Sequence, residues 1–139
     1  MSDFLKAIKP VLTFEGVTLK SLGYVNDPDD NGGETVAGIS RKFWSNWDGW
    51  KIIDISKNHD DFPKNLLTDV ALIGYINQFY KNNFWGRMSE IKDQDIANLL
   101  IDSGVNEGTI PAIKRAQSLL ELPTTGKLDD TLINALNNL

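Results

Sequence analysis

The chain of 139 residues contains no cysteine. That excludes a disulfide framework, a thiolate nucleophile and cysteine-based zinc sites, and leaves stability to packing. Histidine is almost as scarce. His59 stands alone, flanked by Asn58, Asp60 and Asp61, and reads as an exposed structural residue, not a metal ligand or acid–base catalyst. No apolar run approaches the roughly 18–20 residues of a membrane span. Residues 1–15 alternate polar and apolar types without a continuous apolar core or small-residue cleavage site, so no signal peptide is expected. Positive charge is sparse and scattered: 14 Lys and Arg face 19 Asp and Glu, a net charge of −5. A nucleic-acid partner, which needs clustered Lys and Arg, is not expected. There is no G-x-S-x-G motif and no phosphate-binding glycine loop, so most nucleophilic and cofactor mechanisms drop out and no cofactor is expected.

What is present is an ordinary globular composition, 41% hydrophobic and 24% charged. The length suits one domain with a real core. Helical spacing runs through residues 3–15, with Phe4, Ile8, Val11, Leu12 and Glu15 near one face, Ser2 or Asp3 as cap, and Pro10 as a kink or first-turn signal. Ser40 reads as the cap of a short helix over Arg41–Trp47, and Trp44, Trp47 and Trp50 fall one turn apart. Such tryptophans suit a packed core or rim, and also the apolar faces of sugar rings. Residues 51–62 read as a connector. A long amphipathic helix is expected from Lys64 to about Asn83 through Leu67, Val70, Ile73, Gly74, Ile76, Asn77 and Tyr80. Further helices are expected over Asp93–Ser103, broken at Gly104–Gly108, over Thr109–Leu120, and from Asp129 or Asp130 to the end. With no repeat and no long linker, the reading is a single mainly α domain over 1–139, with a short loop or β-hairpin after the first helix.

The organising stretch is Phe14–Ile39, FEGVTLKSLGYVNDPDDNGGETVAGI. It puts Glu15 at the end of a helix near its apolar face, a place suited to a proton-donating carboxylic acid because burial disfavours the charged form. An ordinary solvated glutamate is the alternative. A loop dense in Asp, Asn and Gly follows, and such loops are functional or simply turn-forming. Asp27, Asp29, Asn31 and Gly32 match the opening of a calcium loop, but its twelfth position, which should be a bidentate Glu, is Gly38, so no metal site is expected. A carboxylic acid near an apolar surface, further carboxylates on a loop and a Thr are the parts glycoside hydrolysis uses.

Glu15-Gly16, then Gly23-Tyr24-Val25-Asn26-Asp27-Pro28-Asp29-Asp30-Asn31-Gly32-Gly33-Glu34-Thr35, closing with Gly38-Ile39-Ser40, resemble the E-G-G-Y…D-P-D-D-x-G-G-x-T…G-I-[TS] signature of glycoside hydrolase family 108. Phe79-Tyr80 with Phe84-Trp85 is similar to that family's Tyr/Trp segment. Asp102 to Gly108, then Ala112 and Ala116-Gln117, resemble its C-terminal D-x-x-V-N-x-G…A…Q pattern. Members are lysozyme-like N-acetylmuramidases, found largely in phage endolysins and prophages, some once labelled secretion activator proteins. The resemblance implies a lysozyme-like fold, with a catalytic motif region in 1–50 and a helical peptidoglycan-binding-like segment in 86–139. It implies Glu15 as general acid and Asp29 or Asp30, with Thr35, holding the attacking water. An inverting outcome follows if that water lies between the carboxylates. Tyr24, Asn26, Trp85, Asp102 and Asn106 would bind substrate. The substrate would be the peptidoglycan glycan strand, cut between N-acetylmuramic acid and N-acetylglucosamine by a monomer made in the cytoplasm and released by a holin or by lysis.

One departure matters. The family reads E-G-G-Y in one run, whereas Val17 to Leu22 here separate Glu15-Gly16 from Gly23-Tyr24. These six residues either extend the helix and carry Glu15 away from the loop, or bulge outward and leave the site intact. Displacement of Glu15 would favour a non-catalytic peptidoglycan-binding or secretion-associated protein on the same fold.

Overall fold

The computed structural model describes residues 1–29 and 33–139. Asp30, Asn31 and Gly32 lie outside the described residues. Helices dominate: α1 (Phe4–Phe14), α2 (Gly49–Ser56), α3 (Val70–Tyr80), α4 (Gln94–Glu107), α5 (Thr109–Leu119) and α6 (Asp130–Asn137). A small antiparallel sheet of β1 (Val25–Asn26), β2 (Glu34–Val36) and β3 (Ile39–Ser40) lies between α1 and α2 in the chain. The fold is mainly α, as expected, with the β element where the sequence puts it. No helix among the described residues is long and apolar enough to cross a membrane.

The chain forms two compact units, one of residues Met1–Val11 with Tyr80–Leu139 and the other of Leu12–Phe79. In the first, an apolar core takes Ala7, Ile8 and Val11 from α1 together with Met88, Ile91, Ala97, Ile101, Ile113 and Leu132. Asp3 caps α1 by accepting from the Lys6 N–H at 3.1 Å. Ser2 is buried, its N–H donating to the Ser89 carbonyl and its hydroxyl to the Ile91 carbonyl. The helix runs through Pro10, which costs it one backbone hydrogen bond.

Asp93 caps α4 through the N–H groups of Asp95 and Ile96. That helix does not break at Gly104. It continues to Glu107 with Gly104 buried inside it, so packing outweighs the helix penalty of about 1 kcal/mol that a glycine carries. Asp129 caps α6 by accepting from Leu132 N–H at 2.9 Å. Buried Gln117 anchors the α5–α6 turn: its amide nitrogen donates to the Thr125 hydroxyl and the Lys127 carbonyl, and its oxygen accepts from Gly126 N–H.

The second unit corrects three expectations. Residues 41–48 are not a helix. They form successive tight turns in which Trp47 N–H reaches the Trp44 carbonyl and Trp50 N–H the Trp47 carbonyl. The Trp50 indole also donates to the Trp44 carbonyl at 3.0 Å, and Trp47 packs edge-on against Trp50, so ring packing sets this path instead of helix propensity. The stretch 51–62 is no mere connector, since α2 occupies its first half and buries Trp50 and Ile53. The helix expected from Lys64 is interrupted at Asp69, whose backbone is extended and whose carboxylate accepts from Leu72 N–H. A 3-10 turn, Lys64–Thr68, precedes that break. The apolar face is accordingly Leu72, Ile76 and Phe79, and Val70 lies 82% exposed. His59 is exposed, as read from the sequence.

Candidate active site

The six residues after Gly16 leave the chain and come straight back. Val17 and Leu22 pair as an antiparallel bridge, and Thr18 N–H donates to the Ser21 carbonyl at 2.8 Å. The hairpin bulges outward; it does not lengthen α1. At its base, Gly16 and Gly23 face each other so closely that a Cβ on Gly16 would lie 3.4 Å from the Gly23 Cα. A Cβ on Gly23 would lie 2.7 Å from the Glu15 carbonyl oxygen, closer than real side chains approach. Glu15-Gly16 and Gly23-Tyr24 are therefore contiguous in space, though six residues intervene in the chain.

The second half of the arrangement is the β2–β3 turn. Ala37 and Gly38, its two central residues, both have positive φ, at 49° and 79°, as a tight hairpin of type I′ requires. The Leu22 carbonyl accepts from Ala37 N–H at 2.9 Å, tying the hairpin base to this turn. The half-buried Glu15 carboxyl lies directly on Gly38: a Cβ there would fall 2.6 Å from its Oε2 and 2.7 Å from its Cδ. Glycine at 23 clears the Glu15 main chain and glycine at 38 clears its carboxyl.

Sheet register orders the rest. Thr35 pairs with Val25 on one side and Ser40 on the other, and Val36 pairs with Ile39. Alternation puts Val36 and Ile39, both fully buried, on the inner face with Glu34, and Thr35 on the opposite face in a row with exposed Val25. Asp29 is exposed on the β1–β2 connection, where its N–H donates to the Asp27 carboxylate at 2.9 Å. Asp30, and the Asn31 and Gly32 of the calcium-like pattern, lie outside the described residues.

A charged network behind the sheet was missed in the sequence. The Glu34 side chain is 9% exposed and is held by Arg41 at 2.8 Å, Lys57 at 2.6 Å and the Tyr24 hydroxyl at 2.5 Å. Arg41 also makes a bidentate pair with Asp54, both bonds at 2.7 Å. Burial pushes the Glu34 carboxyl up, but the hydrogen bonds from Lys57, Tyr24 and Arg41 outweigh it and hold the group below the usual carboxylate range. Arg41 holds the Asp54 carboxyl down at about 2. Burial, and then the Glu34 carboxylate that its hydroxyl serves, push Tyr24 well above the usual phenol range. The available signal was the i, i+3 spacing of Asp54 on α2 and Lys57 just past its end, following an arginine directly after β3.

Of the residues named for substrate binding, Tyr24 thus spends its hydroxyl on Glu34 and its ring edge-on against Phe62 at 4.9 Å. Asn26 is exposed at the end of β1. In the other unit, Trp85 is a correction: it is buried at 4% exposure, edge-on to Phe4, and leaves no ring face for a sugar. Asp102 and Asn106 lie one turn apart on the exposed face of α4.

The family model for Glycosyl hydrolase 108 matches residues 8–108, most of the chain. The chain belongs to glycosyl hydrolase family 108. Its reaction class is therefore glycoside hydrolysis and its substrate class a glycan. Among solved structures, that of Brucella abortus SagA is similar, with a TM-score of 0.62 and 22% identity over 98% of this chain and 69% of that one. At that identity the likeness speaks for the fold. No curated protein matches the chain. For a family 108 chain, the interrupted E-G-G-Y run is the question the structure answers: the interruption is looped out and the motif backbone closes beneath it.

Proposed function

We propose that this family 108 protein is a peptidoglycan hydrolase that cuts the glycan strand between N-acetylmuramic acid and N-acetylglucosamine. Glu15 acts as general acid, donating its proton to the leaving glycosidic oxygen, and Asp29 or Asp30 with Thr35 positions the attacking water. The observation that carries the reading is the closure of Gly16 onto Gly23 under the hairpin, with the Glu15 carboxyl seated on Gly38. A glutamate kept in register with the loop and turn of its motif supports the reading of Glu15 as the acid. In this reading the enzyme is a phage or prophage endolysin, made in the cytoplasm and reaching the wall when a holin or lysis releases it.

The test is clearing of purified peptidoglycan by the wild type beside Glu15→Gln, with the new reducing ends identified by mass spectrometry. Clearing by wild type alone, with N-acetylmuramic acid at the new reducing end, is the expected result. Binding without cleavage by both proteins, on several peptidoglycan types, would instead support a non-catalytic wall-binding protein.

A further inference from the structure

The Val17–Leu22 hairpin is anchored at its base and free at its tip. Val17 N–H donates to the Leu12 carbonyl at 2.9 Å, at the end of α1. Leu22 is buried, and its carbonyl holds the Ala37 N–H of the β2–β3 turn. Between these anchors the tip is pinned in shape, with Lys20 N–H donating to the Thr18 hydroxyl at 3.1 Å, yet its side chains contribute nothing to the core. Leu19 is 97% exposed, and Lys20 and Ser21 are exposed beside it. Lys20 makes no ion pair among the described residues.

An ordered arm with an exposed lysine at its tip, rooted at the residue next to Glu15, suits an anionic feature of the substrate. Under the reading above, that feature is present: alternate sugars of peptidoglycan carry peptide stems ending in carboxylates. The net charge of −5 works against an anionic polymer, so a local positive contact has most to contribute where the strand meets the acid.

We propose that the Val17–Leu22 hairpin, which springs from the residue after Glu15, is a substrate-recognition arm that reads the stem carboxylates of peptidoglycan through Lys20. This rests on the hydrolase reading. The assay compares initial rates on one peptidoglycan before and after its carboxylates are amidated with carbodiimide and ammonia. The ratio of the two rates, unmodified over amidated, should fall about fivefold in Lys20→Gln, the scale of one exposed charge contact. It should fall equally when Val17–Leu22 is deleted and Gly16 is joined to Gly23, which face each other across the hairpin base. An unchanged ratio in a Lys20→Gln protein with wild-type circular dichroism overturns the arm. Co-sedimentation with the two polymers reads the same ratio without catalysis. A wild type that cleaves neither polymer therefore sinks the hydrolase reading, while its binding ratio still decides the arm.

Discussion

The two compact units of this chain are held together in different ways. The unit of Met1–Val11 and Tyr80–Leu139 is a packed set of helices whose buried polar groups, Ser2 and Gln117, bond mainly to backbone. Its ion pairs, Arg87 with Glu90 and Asp130 and Arg115 with Glu107, lie at the surface. The unit of Leu12–Phe79 has a core too, but it also sets a nearly buried carboxylate, Glu34, among two cations and a phenol, and it seats Glu15 on a glycine turn. Apolar burial is insensitive to pH, whereas an ionic network around a nearly buried carboxylate depends on protonation and on every partner being present. The first unit is built from general packing and the second from specific placements.

Mutations can sharpen or break that contrast. The largest stability loss is expected from Ile101→Ala in the first unit. A fully buried isoleucine should cost about 3–4 kcal/mol, nearly independent of pH between 7 and 3, by chemical denaturation. Next, Glu34→Ala removes the hub of the network and should cost about 2–3 kcal/mol at pH 7, since it strips charge-assisted hydrogen bonds from three partners. Here the pH dependence has a definite sign. The Glu34 carboxyl is lower in the folded protein than its usual value, so its contribution is complete above the unfolded-state range and is lost as pH falls through the folded value. The Glu34→Ala penalty should therefore shrink in acid. A penalty equal at pH 7 and pH 3 would remove the distinction between the units.

Gly38→Ala should cost about 1–2 kcal/mol, because a side chain is strained at a positive φ. Its Cβ also displaces the Glu15 carboxyl, so peptidoglycan clearing should fall far more than stability does. Clearing that merely tracks the fraction folded would count against this packing. The smallest effect belongs to the first unit: Asp129→Ala should cost about 1 kcal/mol through loss of the α6 cap, read as a shift in the urea midpoint with clearing unchanged.

Helix positions in the first unit were largely legible, because caps such as Asp93 and Asp129 and the spacing of apolar residues are local signals. Gly104 misled, since tertiary packing overrides a glycine's helix penalty. In the second unit, local signals misread the tryptophan segment, where indole packing sets the backbone, and missed that Asp69 starts a helix inside an apolar pattern. Glu34 and Arg41 are seven residues apart and Asp54 and Lys57 lie beyond them, so no spacing rule joins them before the sheet and α2 are in place.

By itself, the sequence determined the mainly helical class, the lack of thiol chemistry and the family motif that singles out Glu15. All of these reside in residue identity and short-range order. Tertiary structure alone decided whether the interrupted motif is one motif. Chain separation does not set distance: a six-residue hairpin closed by its own backbone bonds returns Gly23 to Gly16, and the absence of two side chains, at 23 and at 38, lets the backbone and the β2–β3 turn close around the glutamate.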